Sequence, residues 1–457
     1  MSKSENDPLI KSIRHSDHLE DGDVVTDIIN DSSAIGLYRN FVMMSVAFSC
    51  NHGAVVSCLA YSTTELGNSL GGYGSGTLYV LYALTAFLLS KPIVSMIGPK
   101  LGLLAGVGGY CVYVGGFLFA VLVPALAYPV FIAACAIGGI AGGLLWTSQG
   151  KYFAKNAKLY SDASGIPVEQ VNATFAGVFA TAYLGLEMVT KVLATIIFLV
   201  TPDGAPWIIF TVYTAIAVSA CFVVAGLSDV SEKGTWDFSC DTISANVAAA
   251  GRLVYEDIRL LLMIPFQISF GFASSFVPYY VFGTVIADSD SLGSTYVGLL
   301  SAVIVLTGAS MAIPSAWLSN KIGKPFVMSI GGACLAFAGF AFLILSDKKL
   351  GTWGLIIPYL IIYGMGRGTW ENTNKAVIAD LFVETPELST SAFAAISFSN
   401  GFAGAIGYFT FGSMGRIAMA SLVMISSLVA IACYLLSAHI HSSRTSEIAA
   451  RLAKYNT

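Results

Sequence analysis

The sequence predicts an all-α membrane protein with twelve transmembrane helices, and three observations lead to this fold class. Only 11% of its 457 residues are charged and 56% are hydrophobic, whereas roughly 25% of residues are charged in ordinary soluble domains. Twelve apolar runs are long enough to cross about 30 Å of hydrocarbon. Lysine and arginine concentrate on one predicted side of the membrane. A soluble enzyme is excluded, and the net charge of −4 provides no basic surface for nucleic acid.

Each predicted helix corresponds to one apolar run, and three of the runs are expected to extend past the membrane. The runs cover residues 40–62, 73–90, 101–123, 127–150, 172–200, 206–227, 260–286, 295–318, 326–346, 353–376, 390–412 and 417–438. The three that extend are 127–150, 172–200 and 353–376. An even number of spans places both termini on the same side.

The distribution of lysine and arginine predicts which side that is. With the N-terminus in the cytoplasm, 18 of the 23 basic residues lie in the tails and inner loops, 3 lie in outer loops, and 2 lie within spans. Cytoplasmic loops of membrane proteins carry such an excess of positive charge. We therefore predict that both termini are cytoplasmic.

The tails and the longest loop divide the chain into five predicted parts. Residues 1–36 are polar and acidic, lack the apolar core of a signal peptide, and are predicted to form a disordered cytoplasmic tail. Residues 37–227 and 259–440 each hold six spans. The linker 228–258 joins them in the cytoplasm and contains a candidate surface helix at 244–254. A second cytoplasmic tail covers residues 441–457.

The two six-span parts share short motifs at equivalent positions, which predicts an internal duplication. The separations between matching residues are 220 to 225. The pairs are Ile97-Gly98 with Ile322-Gly323, Trp146 and Lys151 with Trp370 and Lys375, and Arg39 and Met43 with Arg259 and Met263. Parallel six-span repeats joined by a cytoplasmic loop are the organisation of the major facilitator fold. We therefore predict a major facilitator fold of two six-helix halves.

Three segments of the first half resemble the Unc-ninety-three-like (uncoordinated) family of the major facilitator superfamily. They are LGNSLGGYGSGTLYVLYALTAFLLSKPIVSMIGPKLGLLAGVGGYCVYVGG (66–116), GGLLWTSQGKYF (142–153) and NATFAGVF (172–179). The resemblance implies twelve spans without enzymatic chemistry. Some animal members are thought to be regulatory or trafficking subunits of potassium channels or Toll-like receptors, and many others are transporter-like. Residues 184–191 depart from the family pattern.

Charged residues inside the predicted spans are the first candidates for function, because each costs about 2.5–3.5 kcal/mol in the membrane on insertion scales. Glu187 and Lys191 lie four residues apart on span 5, and are either a proton or substrate site or a self-neutralising structural pair. Arg367 on span 10 suits recognition of a carboxylate or phosphate. Glu371 and Lys375 follow it at intervals of four, and also fit an interfacial network.

Polar residues on spans 1 and 4 are further candidates for a substrate or proton pathway. His52 is either a hydrogen-bonded core residue or a proton acceptor in the cavity, and Asn51 precedes it. Trp146 and Gln149 belong to the family-like motif. The alternative is that they serve interfacial anchoring and packing between the halves. Gln267 and Asn400 are weaker candidates of the same kind.

Two classes of function remain open at this point. The first is a transporter that moves a small solute or ion by alternating access, with or without proton coupling. The second is a non-transporting subunit that binds another membrane protein, such as an ion channel or receptor. The sequence contains no cysteine or histidine spacing typical of a metal site, and we expect no catalytic residue, metal or cofactor.

The N-terminal tail contains a candidate sorting signal, Glu5-Asn-Asp-Pro-Leu9-Ile10, which fits the acidic dileucine pattern. Such a signal would send the protein to endosomes, lysosomes or a vacuole rather than leave it in the plasma membrane.

We predict that replacing Leu9 and Ile10 together by alanine moves a fluorescently tagged protein to the cell surface without changing its abundance. An unchanged distribution in cell imaging would refute the sorting signal.

Overall fold

The computed structural model describes residues 21–201, 205–230, 240–382 and 386–455. These residues form helices joined by short turns, and no strand occurs among them. The prediction of an all-α protein is confirmed. Glu5, Leu9 and Ile10 of the candidate sorting signal lie outside the described residues.

The first half consists of long helices with brief interruptions. Helix α1 begins at Asp21, inside the segment predicted as the N-terminal tail. A π-helical turn at Thr85–Leu89 separates α1 from α2, and a 3₁₀ turn at Pro124–Leu126 precedes α4. The helices are α1 (Asp21–Leu84), α2 (Ser90–Ile97), α3 (Pro99–Leu122), α4 (Ala127–Ser164), α5 (Val168–Val200) and α6 (Pro206–Ala225).

The second half is more interrupted, with π-helical segments at Val277–Ile286 and Trp370–Asn374. Short 3₁₀ turns occupy Ser294–Tyr296 and Phe411–Ser413. Helix α7 lies in the linker and includes the candidate surface helix 244–254. The helices are α7 (Cys240–Glu256), α8 (Ile258–Phe276), α9 (Val297–Ser310), α10 (Ala312–Ile322), α11 (Lys324–Ile344), α12 (Asp347–Leu350), α13 (Trp353–Thr369), α14 (Lys375–Leu381), α15 (Pro386–Thr410) and α16 (Arg416–Tyr455).

Ten helices in the described part of the chain are long and apolar enough to cross a membrane. The first of these covers 33–97 and would be about 100 Å long if straight, which is three times the hydrocarbon thickness. Gly67 interrupts it with a non-helical conformation and so divides it into two arms. Helix α13 has 17 residues and continues through Trp370–Asn374 into α14. These two features support the predicted count of twelve spans.

Two pairs of glycines adopt matching left-handed conformations in the two halves. Gly98 (φ 84°, ψ 159°) separates α2 from α3, and Gly323 (φ 94°, ψ 149°) separates α10 from α11. Gly67 (φ 78°) and Gly293 (φ 72°) both precede the second membrane-crossing segment of a half. Positive φ is readily available only to glycine, so the same turn geometry recurs where the sequence motifs repeat.

The halves pack against each other on two sides, and also where Thr63 of α1 donates to the Pro278 carbonyl at 2.8 Å. On one side, the second arm of α1 runs antiparallel to α15, with ring centroids 5.5 Å apart for Tyr79 and Tyr408 and 5.0 Å apart for Phe87 and Phe398. On the other side, the C-terminal part of α5 meets the start of α9, where Gly298 lies against the backbone of α5. A cleft between the halves is therefore bordered by α1, α5, α9 and α15.

Helix α8 is joined to the linker by a compact ionic cap. Asp257 accepts a hydrogen bond from the backbone N–H of Arg259 at 2.9 Å and forms an ion pair with its guanidinium at 2.6 Å. Burial by itself raises the pKa of the Asp257 carboxyl, but hydrogen bonds from Arg259 and the charges of Arg259 and Arg444 outweigh it and lower the pKa below its ordinary value. The ionised Asp257 carboxylate therefore fixes the start of the second half.

Close helix packing at Gly339 predicts a large effect of adding one methyl group. A Cβ there would overlap the carbonyl oxygen of Ala420 on α16, whereas a Cβ at Gly108 on α3 meets nothing within 4 Å. Overpacking costs about 1–3 kcal/mol, and alanine is favoured over glycine in helices by about 1 kcal/mol. We predict that Gly339→Ala lowers the apparent melting temperature of the purified protein. Gly108→Ala is the control and should leave the melting temperature unchanged or raise it. Equal melting temperatures of both variants would contradict this packing.

Candidate functional site

Four charged side chains from both halves form one connected network. On α5, Lys191 Nζ lies 3.7 Å from Glu187 Oε1. Arg367 Nη2 of α13 lies 3.5 Å from Glu187 Oε2, and Arg367 Nε donates to Glu371 Oε1 at 2.8 Å. We call Lys191, Glu187, Arg367 and Glu371 the charge network. It brings together four of the predicted site residues.

Spacing along the helices explains half of this geometry, and the fold supplies the rest. Glu187 and Lys191 are one helical turn apart, as are Arg367 and Glu371, so each pair lies on one helix face. The Glu187–Arg367 contact joins residues 180 positions apart. It links the first half to the second near the middle of α5 and in the last turn of α13.

The exposed fraction of the side chains differs between the two parts of the charge network. The side chains of Glu187 and Lys191 are 2% and 6% exposed, whereas those of Arg367 and Glu371 are 19% and 24% exposed. Two cations and two anions make the network neutral, which offsets the cost of burying its members. The Glu187–Lys191 part of the network is therefore enclosed by protein, and the Arg367–Glu371 part is partly exposed.

A π-helical segment of the second half positions Glu371. Gln267 on α8 exchanges two hydrogen bonds with Asn374, at 3.0 and 3.1 Å, and accepts a third from the Trp370 indole N–H at 2.9 Å. The Trp370 ring also stacks on Phe270, with centroids 4.1 Å apart. These contacts hold both flanks of Glu371, and π-helical segments often occur at functional sites. Lys375 is exposed and lies over the Trp370 ring, outside the charge network.

An aromatic cluster of the first half borders the same cleft. Tyr183, one turn before Glu187 on α5, pairs through its hydroxyl with His52 Nε2 at 3.1 Å. The Trp146 ring packs edge-on against His52 and Tyr183, with centroids 5.3 and 5.7 Å away. His52 is buried, and its Nδ1 has no hydrogen-bond partner among the described residues. The structure thus places the predicted residues His52 and Trp146 next to Tyr183, which the sequence analysis did not identify.

Asn51 and Gln149 are not part of the charge network. The Asn51 amide donates to the carbonyl oxygens of Val107 and Ala217, both at 3.3 Å, and so joins α1 to α3 and α6. Gln149 is buried on α4, nearly one turn after Trp146. Asn51 therefore lies on the face of α1 that packs within the first half, away from the cleft.

Hydrogen bonds between the halves close one end of the cleft. Thr195 accepts from the backbone N–H of Leu299 at 2.9 Å and donates to the carbonyl of Thr295 at 3.0 Å. Tyr61 accepts from the backbone N–H of Gly298 at 2.9 Å. We call Tyr61, Thr195, Thr295 and Gly298 the closed end. Lys191 lies one turn from it, so the enclosed part of the charge network adjoins the closed end.

Sequence reasoning missed Tyr183 and the residues of the closed end. Tyr183 carried a usable signal, because its position four residues before Glu187 places it on the same helix face. Tyr61, Thr195 and Gly298 carried none, since their contacts depend on how the two halves meet. Gln267 was a weak candidate in the sequence, and the structure gives it a supporting role through Trp370 and Asn374.

The sequence profile described as Major Facilitator Superfamily matches residues 41–408. Similar solved structures include the nucleoside transporter NupG, at 15% identity and a TM-score of 0.56, covering 88% of this chain and 98% of that one. A D-xylose-proton symporter has 14% identity, a TM-score of 0.61 and coverages of 90% and 97%. The inward open xylose transporter XylE from E. coli has 13% identity, a TM-score of 0.62 and coverages of 88% and 95%. No curated protein matches the sequence.

The burial of Glu187 predicts that its charge is needed for stability. Breaking a buried pair costs about 3–5 kcal/mol because the remaining charge is left unpaired. We predict that Glu187→Gln lowers the apparent melting temperature, and that adding Lys191→Met restores much of the loss. Thermal unfolding of the purified variants measures both effects.

The exposed pair Arg252–Glu256 has the same four-residue spacing and provides the matched control. Its side chains are 76% and 55% exposed, and exposed pairs contribute about 0–1 kcal/mol. Glu256→Gln should leave the melting temperature unchanged. A Glu187→Gln variant as stable as Glu256→Gln would contradict the structural part of this account.

Proposed function

Because the chain belongs to the Major Facilitator Superfamily, we propose that it carries a small solute across the membrane by alternating access, with the charge network in the solute path. In this mechanism the two halves rock around a site near the middle of the membrane. The protein is an integral membrane protein, so its solute moves between compartments rather than undergoing chemistry here.

The observation that carries this proposal is the ion pair between Glu187 and Arg367. It joins the halves beyond the closed end, while the Arg367 and Glu371 side chains keep partial exposure to the cleft. A contact of this kind makes and breaks as the halves rock, and a solute that competes for it can drive that movement. A purely structural subunit has little reason to keep four charges at this position, given their cost.

The orientation of the cleft follows from the predicted twelve-span topology. With both termini in the cytoplasm, α5 runs outward and α9 begins on the side away from the cytoplasm. The closed end then faces the exterior or an organelle lumen, and the cleft opens to the cytoplasm. We infer that the described conformation is the inward-facing stage of the cycle, and that the protein lies in the plasma membrane or in an endolysosomal or vacuolar membrane.

Proton coupling is a further part of the proposal. Glu187 pairs with Arg367 across the interface between the halves and with Lys191 on its own helix, whereas Glu371 pairs with Arg367 within the second half. A carboxylate separated from its cation in a low-dielectric site takes up a proton to avoid an unpaired charge. Separation of the halves removes one of the two cations that contact Glu187 and so favours uptake of a proton on this carboxylate, and a pH gradient can then drive the cycle.

The motifs at 66–116, 142–153 and 172–179 support membership of the Unc-ninety-three-like branch within the superfamily. That resemblance also supports the alternative of a non-transporting subunit of another membrane protein. The two functions differ in one physical property. Transport requires the closed end to open, whereas a subunit that only binds a partner has no need of it.

Cysteine labelling at the closed end tests this difference without knowledge of the solute. Thr195 is 4% exposed and lies between the halves. We predict that Thr195→Cys, in a protein whose eight native cysteines are replaced, reacts slowly with a membrane-impermeant maleimide applied from the non-cytoplasmic side. Adding Gly298→Val should accelerate labelling, because the larger side chain overlaps the Lys191 carbonyl and hinders closure.

Thr352→Cys serves as the control on the same predicted side, because Thr352 is exposed and precedes α13. It should label rapidly in both backgrounds. Protection of Thr195→Cys in both backgrounds, with normal labelling of Thr352→Cys, would overturn alternating access and favour the subunit function.

A further inference from the structure

Arg367 and Glu371 use only part of their hydrogen-bonding capacity within the protein. Arg367 donates from Nε to Glu371 and from Nη2 to Glu187 over a long 3.5 Å, and Nη1 makes no bond to any described residue. Glu371 accepts through Oε1, and Oε2 makes no bond to a described residue. Both side chains are partly exposed to the cleft. A free cationic edge and a free anionic oxygen therefore lie next to each other.

Tyr183 adds a hydrogen-bond donor beside these groups. The buried Nδ1 of His52 has no partner in the part of the chain that the structure describes, and an orphaned buried N–H is rarer than an orphaned acceptor. The favoured tautomer therefore carries its proton on Nε2 and donates it to the Tyr183 oxygen 3.1 Å away. The Tyr183 hydroxyl hydrogen is then free for an acceptor in the cleft. Tyr183 lies one helical turn before Glu187, which contacts Arg367.

Aromatic rings lie beside Tyr183, which is one helical turn from the Arg367 partner Glu187. Trp146 packs against Tyr183 with ring centroids 5.7 Å apart. Such rings provide flat apolar surface against which the ring of a ligand packs edge-on or offset. The site thus combines charge recognition with a place for a planar group.

The charge balance selects among possible ligands. The network holds two cations and two anions and is neutral. A bound anion or cation would leave one uncompensated charge in a poorly solvated site, which is costly. A ligand that carries one carboxylate and one ammonium keeps the site neutral. Its carboxylate pairs with Arg367 and Tyr183, and its ammonium pairs with Glu371.

We propose that the exposed side of the charge network binds a zwitterionic solute with a carboxylate, an ammonium and a planar ring, as in an aromatic amino acid. This proposal rests on the transport function proposed above, because it identifies the substrate class of the same site. Arg367 Nη1, the Tyr183 hydroxyl and Glu371 Oε2 supply the polar contacts. Tyr183 and Trp146 supply the surface for the ring.

Four probes with the same ring test the proposal on the purified full chain in lipid nanodiscs. They are phenylalanine, 3-phenylpropanoate, 2-phenylethylamine and 3-phenylpropanol, which differ in which charges they carry. Binding is measured at neutral pH from the ligand-dependent rise in melting temperature. We expect phenylalanine to bind at least about tenfold more tightly than each of the others, which corresponds to one lost charged contact.

Two variants should change selectivity in opposite ways. Arg367→Gln should abolish the preference for phenylalanine over 2-phenylethylamine, because the carboxylate has lost its partner. Glu371→Gln should abolish the preference for phenylalanine over 3-phenylpropanoate, because the ammonium has lost its partner. Lys324→Gln removes a different ion pair, with Asp380, and should preserve both preferences. A general loss of folding would weaken all four probes together and would not produce this crossed pattern.

Each outcome separates this proposal from the transport function. Two results would overturn the zwitterion site alone. One is equal or tighter binding of a singly charged probe. The other is no binding of phenylalanine to a protein whose closed end opens in the labelling experiment. Selective binding of phenylalanine to a protein whose closed end never opens would support the site and overturn transport. Retention of both preferences in Arg367→Gln and Glu371→Gln would overturn the assigned contacts.

Discussion

The ion pair between Glu187 and Arg367 is the constraint on which the rest of the site depends. Glu187 is held in a part of the molecule that water barely reaches and Arg367 is only partly exposed, and an unpaired buried charge costs several kcal/mol. Each is therefore stabilised by the partner from the opposite half. Lys191 and Glu371 complete the charge balance on either side. As a result, the relative position of the halves and the charge state of the site are coupled to each other.

The surrounding structure holds this pair through equivalent elements of the two halves. Trp146 of the first half packs on Phe48 and His52, and Trp370 of the second half packs on Phe270 and bonds to Gln267. Each tryptophan thus anchors the fourth span of its half to the first span. The duplication supplies a common frame, and the differences between the halves place Glu187 in one and Arg367 in the other.

The sequence predicted most of the fold because apolar runs, basic loops and repeated motifs are local signals. The all-α class is confirmed, and the family profile and solved structures confirm the major facilitator fold. The four-residue spacing also predicted the pairs 187/191 and 367/371. The contact between Glu187 and Arg367 was beyond such reasoning, because it depends on how segments 180 residues apart pack. For the same reason, sequence alone did not show that Asn51 faces α3 and α6.

The most direct test of the central claim is a double-mutant cycle on Glu187 and Arg367. The apparent melting temperatures of Glu187→Gln, Arg367→Gln and the double variant would be compared with that of the unaltered protein. Residues in direct contact show coupling of about 0.5–3 kcal/mol, whereas independent sites are additive to within about 0.5 kcal/mol. The account predicts that the double variant is less destabilised than the sum of the two single changes. Strict additivity would contradict an energetic link between the two halves at this pair.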